Sequence, residues 1–571
     1  MKYSNKRVVL PLILFFSVLT TYVSPAESIP LGIQKEIDDL IISSKKKKKQ
    51  IFLSLAKRGD PKLLPLLQAL REGSLFVWDS PKGKKIVIAG DGVKKGNVEV
   101  FPIFNPYGKT IISNAKSPKT NVFVPESSLE EIRANRRLRR AIRPYILILQ
   151  STGQLYSKDP NIRRAASTRM ARLGNAKFIP VIKDALEKET HWLSKNAFQE
   201  AIAIIELKSS SDEVRKNAAI KLGNINGLNS LVYLKKIANE GNKNKVKYSK
   251  EQKELHVAAK EAIEKIESYK SWIFSIDTIF RGLSLGSILL LMALGLAVVF
   301  GLMGVINMAH GELMMFGAYS TFLVQGIFTT YLPMDFFGYY FLFSLPAAFL
   351  VSATIGYLME ISIIRFLYGR PLETLLTTWG ISLIFQQLVR QIFGAQNVSV
   401  VSPSWLRGGY HMLVGVQFPY NRLFIVFLTL FCVAGTFMFL FKTRSGMRIR
   451  AVTQNREMSS CLGVPSRRVD SLTFAMGAGL AGLAGAALSQ VGNVGPDLGQ
   501  NYIVDSFMVV VTGGVGKIFG TIVAGLGIGG LNKFLEPWMG AVFGKVLILF
   551  LVIMFLQKRP EGLFSVRSRG A

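Results

Sequence analysis

The chain has 571 residues, of which 49% are apolar, and its mean hydropathy of +0.30 excludes an ordinary water-soluble protein. The formal charge of +33 is uneven, because residues 27–270 carry a net charge of +21 and residues 271–571 carry +9. These values predict a basic, hydrophilic first part and a membrane-embedded second part that join near residue 270. Both cysteines, Cys432 and Cys461, lie in the second part, so the first part can form no internal disulfide.

The N-terminus predicts a secretory signal peptide over residues 1–26. Three basic residues among the first seven precede an apolar run over residues 8–19, and small residues from Ser24 to Ala26 favour cleavage after Ala26. The run is shorter than the roughly 20 apolar residues that a membrane span needs, although an uncleaved anchor helix is the alternative. Both interpretations export the residues that follow.

Residues 27–270 predict an exported, mostly α-helical domain with a small β-rich insert near residues 75–125. Two stretches, 159–175 and 212–224, share an Asp start, spaced Arg and Ala residues and a Leu-Gly-Asn end. This pattern is typical of HEAT-like repeats, in which one helix pair buries its apolar face only against the next pair. A docking surface and a spacer without a ligand are both open as its role.

Residues 271–571 predict a multi-span α-helical membrane domain. Eight apolar runs are long enough to cross the bilayer, at residues 279–304, 310–331, 339–364, 372–393, 421–441, 469–491, 517–532 and 541–557. A ninth run at residues 502–513 is too short, and it predicts a half-helix or re-entrant element. Such an element is tolerated at membrane depth where protein shields it or where it lines a cavity.

Loop charges predict the orientation of the spans. The loop over residues 442–468 holds seven Lys and Arg side chains, which places it in the cytoplasm by the positive-inside rule. Counting back through the preceding spans puts residue 271 outside, in agreement with the export signal. The basic C-terminal tail is cytoplasmic only if residues 502–513 also carry the chain across. We therefore expect a multi-pass protein of the bacterial inner membrane with an extracytoplasmic N-terminal domain and a cytoplasmic C-terminus.

Polar residues interrupt the apolar runs at three places, within residues 301–312, 373–387 and 490–505. Ionisable side chains at membrane depth are costly and are functional candidates by default, and uncharged hydroxyls and amides suit a small polar solute. They can equally cap helices or join one helix to another. The candidates for the solute path are Asn307, His310, Glu312, Glu373, Thr377, Trp379, Gln386, Asn493 and Asp505.

The sequence shows no pattern of an enzyme or a metal site. His191 and His256 stand without an acid or nucleophile at a diagnostic spacing, and His310 lacks the second histidine of a zinc motif. Residues 513–517 resemble a phosphate loop but lack its first glycine and its final hydroxyl residue. We expect no catalytic residue, no metal and no cofactor in this chain. The lysine run at residues 45–49 suits solvent or lipid headgroups, and no nucleic acid is expected as a partner.

The basic loop after the fifth run predicts a docking surface for a soluble partner, because it is compact, partly helical and closed by a glycine. A loop of this kind can also serve only the positive-inside rule. The candidate docking residues are Arg444, Arg448, Arg450, Gln454, Asn455, Arg456 and Gly463.

Four segments together resemble the branched-chain amino acid type permeases of ABC importers. They are residues 301–317, the Arg-Ala-Val-Thr-Gln-Asn-Arg loop that ends at Gly463-Val464, the turn at residues 513–516 and the final Arg-Pro-Glu-Gly-Leu at residues 559–563. The resemblance covers residues 275–565, and within it residues 373–387 and 491–502 are similar to the urea-transporting subfamily. Besides the lipid bilayer that the apolar runs require, it implies a second homologous permease subunit, two cytoplasmic ATPase subunits that bind the ATP, and an extracytoplasmic solute-binding protein.

The sequence thus predicts a permease subunit that moves a small polar solute, with urea as the first choice, into the cytoplasm. ATPases docked at residues 444–463 would drive alternating access. Import of branched-chain amino acids or short amides is the alternative within the family. An autonomous channel for a neutral solute would need no docking loop, and a sensor anchored by its membrane half would need no polar groups inside the membrane.

Overall fold

The computed structural model describes residues 30–43, 45–58, 60–80, 83–95, 98–108, 113–114, 117–243 and 249–564. The predicted signal peptide at residues 1–26 lies outside the described residues, as do the last basic residues of the tail, Arg567 and Arg569. By its internal contacts the chain divides into two compact units, Met1–Ile266 and Glu267–Ala571. Two compact units do not show on which side of the membrane each one lies. The division into signal peptide, exported domain and permease domain therefore stays a prediction.

The first unit begins with helices and continues with strands. Its first helices are α1 (Leu31–Ile42), α2 (Lys45–Arg58) and α3 (Leu64–Glu72). The strands are β1 (Leu75–Ser80), β2 (Gly83–Ala89), β3 (Val93–Lys95), β4 (Val98–Phe104), β5 (Ser113–Asn114), β6 (Ser117–Asn121), β7 (Phe123–Pro125) and β8 (Leu129–Glu131).

Six of these strands form one antiparallel sheet in the order β3-β4-β2-β1-β8, with β7 paired to β4, while β5 pairs with β6. Leu75 and Val77 lie opposite Ile88 and Ile86, and all four are buried in the core that the sheet shares with α1 to α3. The sheet occupies the region of the predicted β-rich insert and continues to Glu131.

Six further helices follow in the first unit: α4 (Arg136–Gln154), α5 (Pro160–Leu173), α6 (Phe178–Glu187), α7 (Trp192–Glu206), α8 (Asp212–Asn224) and α9 (Leu231–Lys243). The two similar sequence stretches form α5 and α8, and α7 packs against both. Met170, Phe198 and Leu222 from these three helices share one buried core. Mutual burial of this kind is what helical repeats require, and their assignment as HEAT-like stays a prediction.

The second unit contains mostly helices, and α10 begins before it. The helices are α10 (Lys250–Met303), α11 (His310–Tyr331), α12 (Tyr340–Ser362), α13 (Pro371–Phe393), α14 (Tyr420–Lys442), α15 (Arg444–Gln454), α16 (Arg456–Cys461), α17 (Ser466–Leu488), α18 (Leu498–Gly513) and α19 (Ile518–Lys558). Strands β9 (Gly409–Leu413) and β10 (Val416–Pro419) pair in the loop between α13 and α14.

Within the described residues, six helical segments are long and apolar enough to cross a membrane, where the sequence predicted eight. They are α10, α11, Met334–Ser362, α14, α17 and α19. Helix α13, the predicted span at residues 372–393, is 23 residues long but is not among them. The predicted spans at 517–532 and 541–557 both lie in α19, which consists of two helices joined by a kink at Gly540, where φ is 77° and ψ is 165°. The predicted number of spans is therefore not confirmed.

The short predicted element at residues 502–513 is α18, which begins at Leu498 and is 16 residues long, or about 24 Å. Its end lies close to the end of α10, because a Cβ atom on Gly301 would lie 2.3 Å from the Cα atom of Gly516. The backbone N–H of Leu563 donates to the carbonyl of Thr512 at 2.8 Å. The segment around Leu563 therefore lies at the same end of the helices as the end of α10.

Two hydrogen bonds distinguish the two ends of the helical unit. At one end, Thr453 Oγ1 donates to the carbonyl of Leu302 at 3.0 Å. At the other end, the indole N–H of Trp405 donates to the carbonyl of Gly338 at 2.7 Å. Each contact joins two segments that the sequence predicts at the same side of the membrane. Which end faces the cytoplasm stays a prediction.

A buried ion pair links α5 to the loop between α6 and α7. Arg163 Nε and Nη2 donate to the two carboxylate oxygens of Glu189 at 2.6 and 2.7 Å, and the Glu189 side chain is 2% exposed. Burial alone raises the pKa of Glu189, but the bonds from Arg163 and from the backbone N–H of His191 outweigh it, so the pKa lies below its ordinary value of 4.5.

Substituting Arg163→Met leaves a buried carboxylate without its charged donors, and we expect it to destabilise the first unit by about 2 kcal/mol at pH 7. Because the folded-state pKa of Glu189 is lowered, this stabilisation is complete above the ordinary glutamate pKa and disappears as the pH falls through the folded value. Hydrogen exchange of α5 to α7 in the full chain measures the effect at pH 7 and pH 4. Lys188→Met, which removes a pair on the surface with Asp184, is the control and should change little. An equal loss at both pH values would contradict the assignment.

Candidate functional site

Helix α11 begins beside the middle of α10 and not at its end. The His310 Nε2 atom lies 3.3 Å from the carbonyl oxygen of Met292, which is eleven residues before the end of α10 at Met303, a rise of about 16 Å. Residues 304–309 therefore fold back alongside α10 before α11 starts. The N-terminus of α11 lies within the depth of the helical unit, where an apolar helix would leave its first N–H groups unpaired.

Two polar side chains hold this helix start. Asn307 Oδ1 accepts the backbone N–H of Ala309 at 3.0 Å, and Thr378 Oγ1 of α13 accepts the backbone N–H of Met308 at 3.1 Å. The fold-back is thus fixed from its own chain and from a neighbouring helix. Because buried backbone N–H groups need acceptors, the polar interruption of the apolar run has a direct structural cause in the turn before α11.

Glu312 lies in the first turn of α11 and is buried. Its Oε1 atom accepts hydrogen bonds from Ser382 Oγ at 3.0 Å and from Gln386 Nε2 at 2.8 Å. Ser382 and Gln386 are four residues apart on α13, so they share one face of that helix. The carboxylate joins α11 to α13, and its position in the first turn also places a negative charge at the positive end of the α11 dipole.

Several buried polar atoms near this helix start have no hydrogen-bond partner in the described part of the chain. They are Asn307 Nδ2, His310 Nδ1, Glu312 Oε2 and, further along α11, Tyr319 Oη. An unpaired buried donor or acceptor costs free energy, and such atoms are few in native proteins. Both donors and acceptors are therefore available here to water or to a polar solute.

A second helix begins at the same place. A Cβ atom on Gly311 would lie 2.5 Å from the carbonyl oxygen of Gly499, and one on Gly499 would lie 2.3 Å from the carbonyl carbon of Gly311. Since α18 starts at Leu498, the N-termini of α11 and α18 are in backbone contact. Both helix N-termini carry partial positive charge. The arrangement therefore favours binding of an anionic group close to Ser382 and Gln386, the two residues that donate to Glu312.

Four of the predicted solute-path residues, Asn307, His310, Glu312 and Gln386, come together at this helix start. The others do not. Glu373 is exposed and pairs with Arg370 at 3.2 Å, Trp379 is 53% exposed, Thr377 is half-buried, Asn493 is exposed, and Asp505 pairs with Lys545 at 2.9 Å.

Sequence reasoning missed Thr378 and Ser382, which the structure places at the site. Thr377 precedes Thr378 by one residue, and one residue turns a helix by about 100°, which moves the side chain to another face. Thr378, Ser382 and Gln386 follow one another at intervals of four. This spacing places the three side chains on one polar face of α13, and it is visible in the sequence when counted back from Gln386.

The predicted docking loop forms α15 and α16. Arg444, Arg448, Gln454 and Asn455 are exposed, and so are Met447, Met458 and Leu462. Arg456, by contrast, pairs with the buried Asp470 and lies over the ring of Tyr368 at 4.5 Å, while Gly463 has a φ of 82°. The loop therefore presents exposed basic and apolar side chains, while Arg456 attaches it to Asp470 and Tyr368.

In the part of the chain that the structure describes, no group of His, Cys, Asp and Glu side chains could hold a metal ion.

Comparison with known proteins identifies the second unit. A family model described as the branched-chain amino acid transport system permease component matches residues 278–556. The high-affinity branched-chain amino acid transport system permease protein BraD of Pseudomonas aeruginosa is 30% identical over 296 residues, which cover 51% of this chain and 95% of BraD. This chain belongs to that permease family. The corresponding LivH protein of Escherichia coli K12 is 28% identical over 312 residues, covering 52% of this chain and 97% of LivH.

A probable LivH permease of the archaeon Methanocaldococcus jannaschii is 24% identical over 296 residues, covering 49% of this chain and 89% of that protein. No solved structure matches the chain. The family match makes the chain an ABC transporter permease of the inner membrane and a transport subunit, not an enzyme. The match begins at residue 278, so it gives no information about the first unit of the chain.

The hydrogen bond from Gln386 to Glu312 can be tested against a neighbouring control. Gln386→Leu removes a donor from a buried carboxylate, and we expect a loss of about 2 kcal/mol in the stability of the purified permease. Gln387→Leu changes an exposed residue of the same type on the same helix and should leave stability unchanged. Thermal unfolding of both variants in detergent provides the comparison. Equal melting temperatures would mean that the bond contributes nothing.

Proposed function

We propose that the chain is the permease subunit of an ABC importer for branched-chain amino acids. The observation that carries the choice of solute is the backbone contact of two helix N-termini, α11 and α18, beside the buried Glu312. The N-termini of broken helices at membrane depth are suited to the carboxylate of an amino acid. The free Oε2 atom of Glu312 supplies an acceptor for its ammonium group. A zwitterion matches both features.

Urea, the solute that the polar runs predicted, is supported less well. Urea carries no net charge, so it gains no charge–charge attraction from positive helix ends or from a carboxylate. Two of the polar residues on which the urea prediction relied, Trp379 and Asn493, are exposed. The relatives named above carry branched-chain amino acid transport in their names and none of them is named for urea. The alternative solute class is therefore the better supported one.

The assembly is proposed from the same relationship. An importer permease of this family implies a second homologous permease, two cytoplasmic ATPase subunits and an extracytoplasmic binding protein. The exposed side chains of α15 and α16 combine arginines with Met447, Met458 and Leu462, a composition suited to a groove with apolar walls and an acidic rim. We place the ATPase contact there. The binding protein then docks at the opposite end, near the loop of β9 and β10.

Solute uptake tests the proposed function directly. Cells that lack this chain should lose high-affinity uptake of labelled leucine and keep their urea uptake. Glu312→Gln preserves the shape of the side chain and removes its charge, so we expect leucine uptake to fall about tenfold. Glu373→Gln alters an exposed glutamate and is the matched control. Loss of urea uptake with leucine uptake intact would reverse the choice of solute and leave the family unchanged.

The ATPase contact is tested at Arg448, which is exposed on α15. Arg448→Glu reverses the charge at the proposed interface, and we expect uptake and transport-linked ATP hydrolysis to fall to background while the amount of protein in the membrane stays constant. Arg448→Lys keeps the charge and should retain most of the activity. Full uptake in the Arg448→Glu variant would remove α15 from the interface.

The proposed orientation is tested by thiol labelling. Ser210→Cys introduces an exposed thiol in the first unit, and the native Cys461 supplies one on α16. With the first unit extracytoplasmic and α16 cytoplasmic, a membrane-impermeant reagent labels residue 210 in intact cells and Cys461 only after lysis. Each site is measured in a background without the other thiol. The reverse pattern would invert the topology.

A further inference from the structure

A groove of about 690 Å³ lies between α10, α14, α15 and α19. Its walls are almost entirely apolar. They include Val298 and Leu302 of α10, Phe437 of α14, and Phe519 and Ile522 of α19. Phe437 and Phe519 are more than half exposed, so the groove opens on the outer face of the helices, where a membrane protein meets lipid.

Two cationic side chains, Arg450 and Lys517, line the groove. The Arg450 guanidinium carbon lies 4.9 Å from the centre of the Phe441 ring, and its buried Nε atom has no hydrogen-bond partner in the described part of the chain. Lys517 is exposed and directly precedes α19, whose N-terminus adds partial positive charge. No Asp or Glu lines the groove, and none of the ion pairs among the described residues includes Arg450 or Lys517.

Both charges lie where membrane-crossing helices end. Lys517 is at the start of α19, and Arg450 is on the short helix α15 that follows α14. Leu302, in the last turn of α10, lines the groove beside them. The cations therefore lie at the level of the lipid headgroups, and the apolar walls extend from that level toward the hydrocarbon.

We propose that this groove binds an anionic phospholipid, with an acyl chain along the walls of α14 and α19 and the phosphate at Arg450 and Lys517. An apolar protein helix in the same place would leave two cations beside it without a counter-charge, which is costly. A phosphate satisfies both cations, and the free Arg450 Nε is a donor for it. The site needs only the membrane location of the chain and is independent of the transported solute.

Lipid binding to the purified full chain tests this site. The probes are phosphatidylglycerol and phosphatidylcholine with identical acyl chains, titrated in detergent and measured by native mass spectrometry. We expect phosphatidylglycerol to bind more tightly. Each cation near a headgroup contributes a factor of about five to binding, so the double variant Arg450→Gln with Lys517→Gln should bind phosphatidylglycerol about 25-fold more weakly. Arg444→Gln with Arg448→Gln removes the same charge from outside the groove and should leave the preference in place.

The apolar part of the groove has its own variant. Ala434→Trp fills the wall of α14 and should weaken both lipids, whereas the charge variant weakens phosphatidylglycerol alone. Equal binding of the two lipids to the native chain, or undiminished phosphatidylglycerol binding in the double variant, overturns the proposal. So does a cysteine at position 434 that cross-links to a second permease subunit in membranes, because the groove is then a protein interface. The single variant Lys517→Gln changes an exposed residue and keeps the test valid if substitution of Arg450 prevents folding.

Discussion

The architecture of the permease unit depends on backbone contact between helices, which only glycine allows. A Cβ atom on Gly317 would lie 2.1 Å from the carbonyl oxygen of Gly482, and one on Gly485 would lie 1.9 Å from that of Met314. These contacts hold α11 against α17 along its first turns. The contact between Gly311 and α18 belongs to the same set. With side chains in these places α11 would move away, and its start would no longer lie beside the middle of α10.

The buried polar groups follow from this close packing. Once α11 begins inside the unit, the N–H groups of the turn before it need acceptors, and Thr378 and Asn307 supply them for Met308 and Ala309. Glu312 is tolerated because two side chains of α13 donate to it and because it lies at the positive end of its own helix. Its second oxygen and the free nitrogen of His310 remain without partners among the described residues. A site that is incomplete in this way is suited to a polar solute that completes it.

The sequence predicted the helix break and the family because polar residues inside apolar runs are visible without a structure. It did not predict the helical phase of α13, so Thr377 was chosen where Thr378 and Ser382 reach the site. The sequence also did not predict the ion pair of Asp505 with Lys545, because these residues are 40 positions apart and only the tertiary fold brings them together. The spans predicted at 517–532 and 541–557 are separate in the sequence, and the non-helical backbone at Gly540 lies between them.

The proposed docking loop, α15 and α16, makes contacts that lead to the helix break. Thr453, in α15, donates to the carbonyl of Leu302, two residues before the chain leaves α10 and folds back. Arg456, in α16, pairs with Asp470 of α17 and covers Tyr368, whose hydroxyl donates to the buried Glu360 of α12. A displacement of α15 and α16 therefore acts on α10, α12 and α17 together. Since α12 and α17 both pack against α11, the same displacement acts on the helix whose N-terminus carries Glu312.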